Sequence, residues 1–382
     1  MAEKKSGGKR KWPYRLMLFL NILFVAALLI SYLAPFTHPK ITTIPAMLAL
    51  VYPVLWIINV LFTIFWMLRL RYYFLFSLLT LMIGLNIFMR MISISAPTAS
   101  EETVADFKII SYNVRLFDQY KWRSDQDYFT RDAVFDFIHS QNPDIVCFQE
   151  FFHGNDTYFP TIGPFVAISE AKNYHVGYVK TVGDKKHYGL ATFTRFPIVR
   201  REEINFEDAV SNSGIFTDVV VKRDTIRIFN FHLESVRFSQ ADYKFVSEVI
   251  DPAATGHSSS SRIIFYKLHK AFLRRARQAA VVRQYISQSP YPVIVCGDFN
   301  DTPASFVYST ISKNLGDAFL EAGTGLGTTY AGGLPFLRID YILHSRQLKA
   351  LHYQKHLVDY SDHYPVSCTF SLEKESRLEE SK

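Results

Sequence analysis

Cysteine is scarce in this chain. Its 382 residues hold three, Cys147, Cys296 and Cys368, each inside an apolar run ("DIVCFQE", "VIVCGDF", "PVSCTF"). An odd count with no C-x-x-C spacing excludes a zinc site or redox motif readable from cysteine. Such settings suit buried core thiols, and the sequence leaves open whether two of them pair in an oxidising compartment. Acid is scarcer still in residues 1–100, where Glu3 stands alone against ten Lys and Arg. The whole chain has 42 basic and 35 acidic residues, so residues 101–382 carry 32 and 34. The net charge of +7 therefore belongs to the N-terminal part, and a basic balance loses its usual bearing on nucleic acid. No internal repeat is present. The glycine-rich "GTGLGTTYAGG" (323–333) lacks the Lys-Ser/Thr ending of a nucleotide-binding loop and reads as a substrate-side loop leading into "RIDY".

What the first hundred residues do have is apolar length. After a basic leader (1–15), three uncharged stretches cover residues 16–36, 44–68 and 72–89, each near the roughly 18–25 residues that a membrane-crossing helix needs. Two further apolar stretches follow the first, which argues against a cleaved signal peptide. Six basic residues in the leader, against few in "THPK" and "RLR", place the N-terminus in the cytoplasm. The expectation is a membrane domain over 16–93 with about three transmembrane helices in the cell (inner) membrane, and a linker over 94–106. The C-terminal domain is expected to be extracytoplasmic, periplasmic in a cell with two membranes.

From residue 107 the pattern changes to short β-rich runs. "FKIISYNV", "DIVCFQE", "GLATFTR", "IFTDVVVK", "TIRIFNFHL", "PVIVCGDF", "RIDYILH" and "YPVSCTFSL" predict strands. "SDQDYFTRDAVFDFIHSQ", "SRIIFYKLHKAFLRRARQAAVVRQYISQ" and "ASFVYSTIS" predict helices. Strands covered by helices predict an α/β fold, a four-layer sandwich of two packed mixed sheets flanked by helices. This domain is expected over 107–371, with a charged tail over 372–382. "ATGHSSSS" (254–261), within a segment spanning 236–261, reads as an insertion between strand and helix.

Each apolar strand stops at particular polar groups: Asn113, Glu150, His232, then Asp298 with Asn300. Asp340 lies in "RID", and Asp362 and His363 open the last strand. Singly, an Asp or His at such a place is ordinarily a turn or cap residue. Gathered at one sheet mouth, the set supports a narrow chemistry. Oxygen ligands without cysteine suit Mg²⁺, Mn²⁺ or Ca²⁺ rather than zinc. An oriented imidazole can take a proton from water, and a second imidazole and an amide can steady a developing oxyanion. Metal, base and donors together suit phosphoester hydrolysis.

In order, "ISYNV", "CFQE", "FHLES", "CGDFND", "RIDYIL" and "SDHYPV" resemble the endonuclease/exonuclease/phosphatase superfamily, over nearly all of residues 107–371. The superfamily includes deoxyribonucleases, sphingomyelinases, abasic-site endonucleases and inositol-polyphosphate 5-phosphatases; this chain is read as a membrane-anchored bacterial member. The resemblance implies that Glu150 is the principal metal ligand, with Asn113 beside it and Asp362 completing the shell. It implies that His363 is the general base or a phosphate-contacting imidazole, oriented by Asp340. It gives His232 and Asn300 to transition-state stabilisation, and Asp298 to the attacking water or a second metal. Arg115 stands where abasic-site endonucleases carry an acid, which weakens a DNA-repair reading. Arg195, in the strand "YGLATFTRFPI", is either structural or a substrate contact.

Seven basic residues and no acid line residues 262–283. They would grip a phosphate-rich substrate or an anionic membrane surface, or simply form a solvated helix face. The expected function is a membrane-anchored, divalent-metal-dependent phosphodiesterase acting on a lipid headgroup or another membrane-proximal phosphodiester. The rivals are a non-specific extracytoplasmic endonuclease and a non-catalytic membrane scaffold. The expected partners are the lipid bilayer and the phosphodiester.

Overall fold

A computed structural model describes residues 12–95, 105–122, 126, 128–155, 158–183, 185–207, 212–236, 258–332 and 336–372. Most of the basic leader, the linker, the 236–261 insertion and the C-terminal tail lie outside the described residues. The chain divides into two units, one ending at Arg90 with the short segment Pro303–Phe306, the other holding the rest from Met91.

Among the described residues of the N-terminal unit one helix is long and apolar enough to cross a membrane, Pro13–Ser31. The three uninterrupted spans expected from the sequence do not form. The second stretch splits into Ile44–Leu50 and Tyr52–Leu68, bent by 74°. Pro53 explains the break, because its ring would strike the carbonyl four residues earlier and its nitrogen carries no hydrogen. The third stretch splits into Phe74–Ile83 and Leu85–Met89 at Gly84. There the backbone lies so close to Tyr32 that a β-carbon would fall 2.1 Å from its ring. Multi-pass placement and the extracytoplasmic side of the C-terminal domain rested on three crossings and lose that support; the N-in topology rested on the basic leader, most of which lies outside the described residues. The helices are held by a buried polar chain: Trp66 Nε1 donates to Asn21 Oδ1, Asn21 Nδ2 to Ser77 Oγ, and Ser77 Oγ to Asn59 Oδ1.

The second unit carries strands β1 (Ile92–Ile94), β2 (Phe107–Asn113), β3 (Ile145–Gly154), β4 (Asn173–Val182), β5 (Lys186–Thr194), β6 (Ile198–Ile204), β7 (Ser213–Val221), β8 (Asp224–His232), β9 (Val293–Asp298), β10 (Gly316–Asp317), β11 (Thr324–Leu326), β12 (Asp340–His344), β13 (Leu348–Lys355) and β14 (Val366–Leu372). Two six-stranded sheets form, in the orders β13-β14-β2-β3-β5-β4 and β10-β12-β9-β8-β7-β6. Each is antiparallel except for one central parallel pair, β2 with β3 and β8 with β9. Side chains alternate across each strand, so Ile109, Cys147 and Cys368 of one sheet meet Ile228, Cys296 and Ile342 of the other between the layers. All three cysteines are free and buried there. Helices Phe129–Gln141 and Ile162–Ser169 cover the outer face of the first sheet. The long helix Ser258–Ser287 and Phe306–Ile311 cover the second. The expected layer order of helix, sheet, sheet and helix is what forms. Strands β1, β4, β6, β10, β11 and β13 and the helices Ile162–Ser169 and Ala318–Ala322 are additions to the sequence reading.

Candidate active site

The topology gathers the polar strand ends. A parallel pair sends both C-terminal ends to the same edge of its sheet. The β2–β3 pair therefore delivers Asn113 and Glu150 to one rim, and the β8–β9 pair delivers His232 and Asp298. In the second sheet the register aligns His232 with Asp298 and Asp298 with Asp340, so three site residues stand side by side on adjacent strands. His363 precedes β14, which runs antiparallel beside β2 and brings its own entry loop back to the same rim.

Glu150 is aimed by a distortion. The β3–β5 register slips by one residue between Phe148 and Phe151, and Glu150 has φ +49°. A bulge of this kind bends the strand and redirects a side chain. Its neighbour Gln149 points inward, donating to Asn230 Oδ1 at 2.7 Å and Ser111 Oγ at 3.1 Å. Asn230 in turn donates to the carbonyls of Phe148 and Ala191, both at 3.1 Å. This buried bridge locks the two sheets together immediately below the rim. After Asn113 the chain makes a left-handed turn, with Arg115, Leu116, Phe117 and Asp118 all at φ between +44° and +56°. Non-glycine residues resist that conformation; burial of Phe117 and the 2.8 Å bond from the Trp122 amide to Asp118 Oδ1 hold it.

The distances define the cluster. His363 Nδ1 lies 3.0 Å from Asp340 Oδ2, and its Nε2 faces Asp298 at 3.8 Å. Asp298 Oδ2 accepts from Asn113 Nδ2 at 3.0 Å and from Asn300 Nδ2 at 3.2 Å. His232 Nε2 is 3.5 Å from Glu150 and 3.6 Å from Asp298, yet has no hydrogen-bond partner among the described residues. Asp362 lies 3.4 Å from Arg115 Nε. Burial together with the Asp362 charge raises the Glu150 carboxyl, and His363, Asn113 and Arg115 only partly oppose them. Burial also raises Asp298, to about 6, with Asp340 adding to the shift. Burial lowers His232. For His363 burial works against the imidazolium, but Asp340 and Asp298 outweigh it and push the group up to about 10.

Such a group of carboxylates fits a hard divalent cation. The raised Glu150 carboxyl marks negative charge that the side chains around it do not fully compensate, and its donors are oxygens. Asn113 and Asp362 both act on this carboxylate. A tight set of acidic and histidine ligand atoms, within 4.8 Å of one another, is instead formed by Asp298, Asp340 and His363. That second set differs from the predicted metal ligands, and its members are already engaged with one another.

Arg195 is a correction as a substrate contact. It sits just past β5, bonded to Asn142, Asp144 and Glu170. The Asp144 amide bonds to the Lys108 carbonyl at the start of β2, whereas the site lies at the end of β2 with Asn113, so Arg195 belongs to the opposite edge of the sheet. Residues missed by the sequence reading hold the site from behind. Arg275, buried at 1 % exposure, donates to the carbonyls of Asn300 (2.6 Å) and Glu234 (3.3 Å) and so ties together the loops after Asp298 and His232. Its signal was visible, a basic residue on the apolar stripe with Ala271, Phe272 and Ala279. Thr329 Oγ1 accepts from the amides of Ile339 and Asp340, both at 3.0 Å, so the glycine-rich loop positions the carboxylate that holds His363. Ser361 Oγ donates to the Asn113 carbonyl at 2.7 Å.

A family model described as "Endonuclease/Exonuclease/phosphatase family" matches residues 110–363, from β2 to the histidine itself. The chain belongs to the endonuclease/exonuclease/phosphatase family. Its members are hydrolases of phosphate esters that depend on divalent metal, and this chain is accordingly a hydrolase acting on ester bonds. A second model, "Domain of unknown function (DUF8431)", matches residues 14–91. Among solved structures, an endonuclease/exonuclease/phosphatase from Beutenbergia cavernae is 15% identical with a TM-score of 0.50, covering 70% of this chain and 71% of that one. The human Nocturnin catalytic domain, solved with a bound sulfate anion, is 20% identical with a TM-score of 0.50, covering 70% and 96%. These likenesses concern the fold. No curated protein matches the chain.

Proposed function

We propose that this chain is a divalent-metal-dependent phosphodiesterase that works beside a membrane, on a lipid headgroup or another membrane-proximal phosphodiester. The observation that carries the reading is the oriented imidazole. Asp340 holds Nδ1 of His363, leaving Nε2 turned toward Asp298, with His232 Nε2 3.6 Å from the same carboxylate on the other side. With His363 pushed up to about 10 the ring enters protonated and can meet a phosphoryl oxygen, Asp298 is the group placed to take the water's proton, and His232 and the Asn300 amide are placed for the developing charge. Glu150, Asn113 and Asp362 would hold Mg²⁺, or Mn²⁺ or Ca²⁺. A cation there would polarise a phosphoryl oxygen and offset charge gathering on it.

The apolar helix Pro13–Ser31 supports attachment to a membrane. The near-neutral balance of residues 101–382, 32 basic to 34 acidic, gives a nuclease no overall positive charge to draw in its substrate. A filled set of catalytic positions weighs against a scaffold. The test is the full chain in detergent or vesicles with Mg²⁺, assayed on phospholipids, sphingomyelin, DNA, RNA and inositol phosphates beside His363→Ala and Glu150→Ala. Turnover of a phosphodiester lipid, lost in both variants, is expected. Equal rates in all three proteins would overturn the catalytic assignment, and turnover confined to DNA or RNA would replace the lipid reading with the nuclease one.

A further inference from the structure

A cavity of about 300 Å³ opens beside the catalytic cluster, with Glu150 and His232 at one end. Its origin is a double distortion of one sheet. Opposite Tyr188–Leu190 of β5, β3 gains a residue between Phe148 and Phe151, and β4 gains one between Tyr178 and Lys180. Bulges on both sides of the same stretch bend the flanking strands and break the strict alternation of side chains. Val179 and Lys180, although consecutive, therefore both line the cavity.

Two buried polar atoms in its lining have no hydrogen-bond partner among the described residues, His232 Nε2 and Ser213 Oγ. They are cross-strand neighbours, since Ser213 pairs with His232 in the β7–β8 ladder. His232 is only 7 % exposed. Unsatisfied polar groups in such places oppose folding, and two side by side mark a place where a ligand supplies the partners. Leu116, Val179 and Leu190 give the apolar wall. Tyr120 and Tyr188, whose hydroxyls lie 2.6 Å apart, the exposed Lys180, Gly189 and Ser235 complete the lining.

We propose that this cavity receives the departing alcohol of the phosphodiester and selects one that is compact and carries a second anionic group. The inference rests on the phosphodiesterase reading above. Its volume of about 300 Å³ admits a glycerol or pentose phosphate. Lys180 is the cation in a lining that otherwise bears a carboxylate, so it meets the second anion while Ser213 Oγ meets a hydroxyl. In the reaction a water oxygen bonds to phosphorus, the ester bond to this alcohol breaks, and one water proton ends on the departing oxygen. A phosphorylated glycerol headgroup and a nucleotide share this chemistry.

The experiment uses the full chain with Mg²⁺. One arm compares vesicles of phosphatidylglycerophosphate and phosphatidylglycerol; the other compares a thymidine dinucleotide with and without a phosphate on its departing half. A preference for the phosphorylated member in kcat/KM is expected, reduced about tenfold by Lys180→Gln, the size of one lost charged contact. The preferred arm identifies the source. Titration calorimetry with glycerol 3-phosphate and with thymidine monophosphate reads binding without turnover, and about tenfold weakening in Lys180→Gln and Ser213→Ala is expected. Turnover without preference, or a ratio unmoved by Lys180→Gln, overturns the cavity assignment and leaves the phosphodiesterase standing. No turnover of any diester, with product binding still sensitive to both variants, overturns the phosphodiesterase reading and leaves the cavity a binding site.

Discussion

His363 Nδ1 lies 3.0 Å from Asp340 Oδ2, a carboxylate twenty-three residues earlier in the chain, while its sequence neighbour Asp362 faces Arg115. Asp362 lies in the bend before the last strand and His363 in an isolated bridge with Tyr330, so the two side chains part. One short stretch thus serves two halves of a site, an oriented imidazole on one side and part of a carboxylate group around Glu150 on the other.

The two carboxylates are expected to separate in their effects. Asp340→Asn removes the charge that orients and supports the imidazole, so kcat should fall by about 10²–10⁴-fold with the Mg²⁺ requirement little changed. Asp362→Asn should instead raise the Mg²⁺ concentration needed for half-maximal rate. Steady-state rates against substrate and against Mg²⁺ distinguish them. Identical metal titrations for the two variants would contradict the division of labour.

Glu150 carries the second prediction. Its carboxyl is raised by burial and by Asp362, so a bound divalent cation relieves a repulsion already present in the fold. Titrating Mg²⁺ into the metal-free chain should raise the melting temperature by mass action. Chelation should abolish turnover, and Glu150→Gln should remove both the thermal shift and at least about 10²-fold of the rate. A thermal shift of full size in Glu150→Gln would place the cation elsewhere.

Much of this was legible in the sequence, and what was missed has a common cause. The predicted strands are those buried on both faces, whose apolar runs are continuous. Strands β4, β6 and β13 went unseen, and each lies at the end of a sheet. "IVRREEI" carries four charges and "LKALHYQK" two lysines, as edge strands do to discourage pairing with other chains, and that weakens the apolar signal. In the N-terminal unit the error ran the other way. Apolar length suggested three spans, while Pro53 and Gly84 decided where the helices break.

At the site, residue types at strand ends were readable because a polar group closing an apolar run stands out. The bulge that turns Glu150 outward was not, since a register slip depends on the partner strand. Neither was the bridge from Gln149 to Asn230, which joins residues 81 positions apart. Arg195 misled because its strand is central, while its position past the strand's end places it at the wrong edge.

The last prediction concerns acid stability. His175 and His356 are each 6 % exposed, and burial lowers both to about 4, with Arg201 adding to the effect at His175 and Lys108 at His356. Thr217 Oγ1 and Ser367 Oγ lie 2.9 Å from their rings. The unfolded chain takes these protons near pH 6.5 whereas the folded chain refuses them until about pH 4. Their stabilisation is therefore complete above pH 6.5 and lost as the pH falls toward 4, by on the order of 3 kcal/mol each. Asp298 acts in the opposite sense, because its folded pKa of about 6 exceeds the unfolded value and acid relieves it. The slope for the unaltered chain is a difference between these effects, so the informative quantity is its change on substitution. In His175→Gln with His356→Gln, the urea midpoint should lose less between pH 7 and pH 4 than in the parent. An unchanged slope would mean that both rings already accept protons in the folded state, and that the protonated rings, not the neutral ones, are compatible with the sheet.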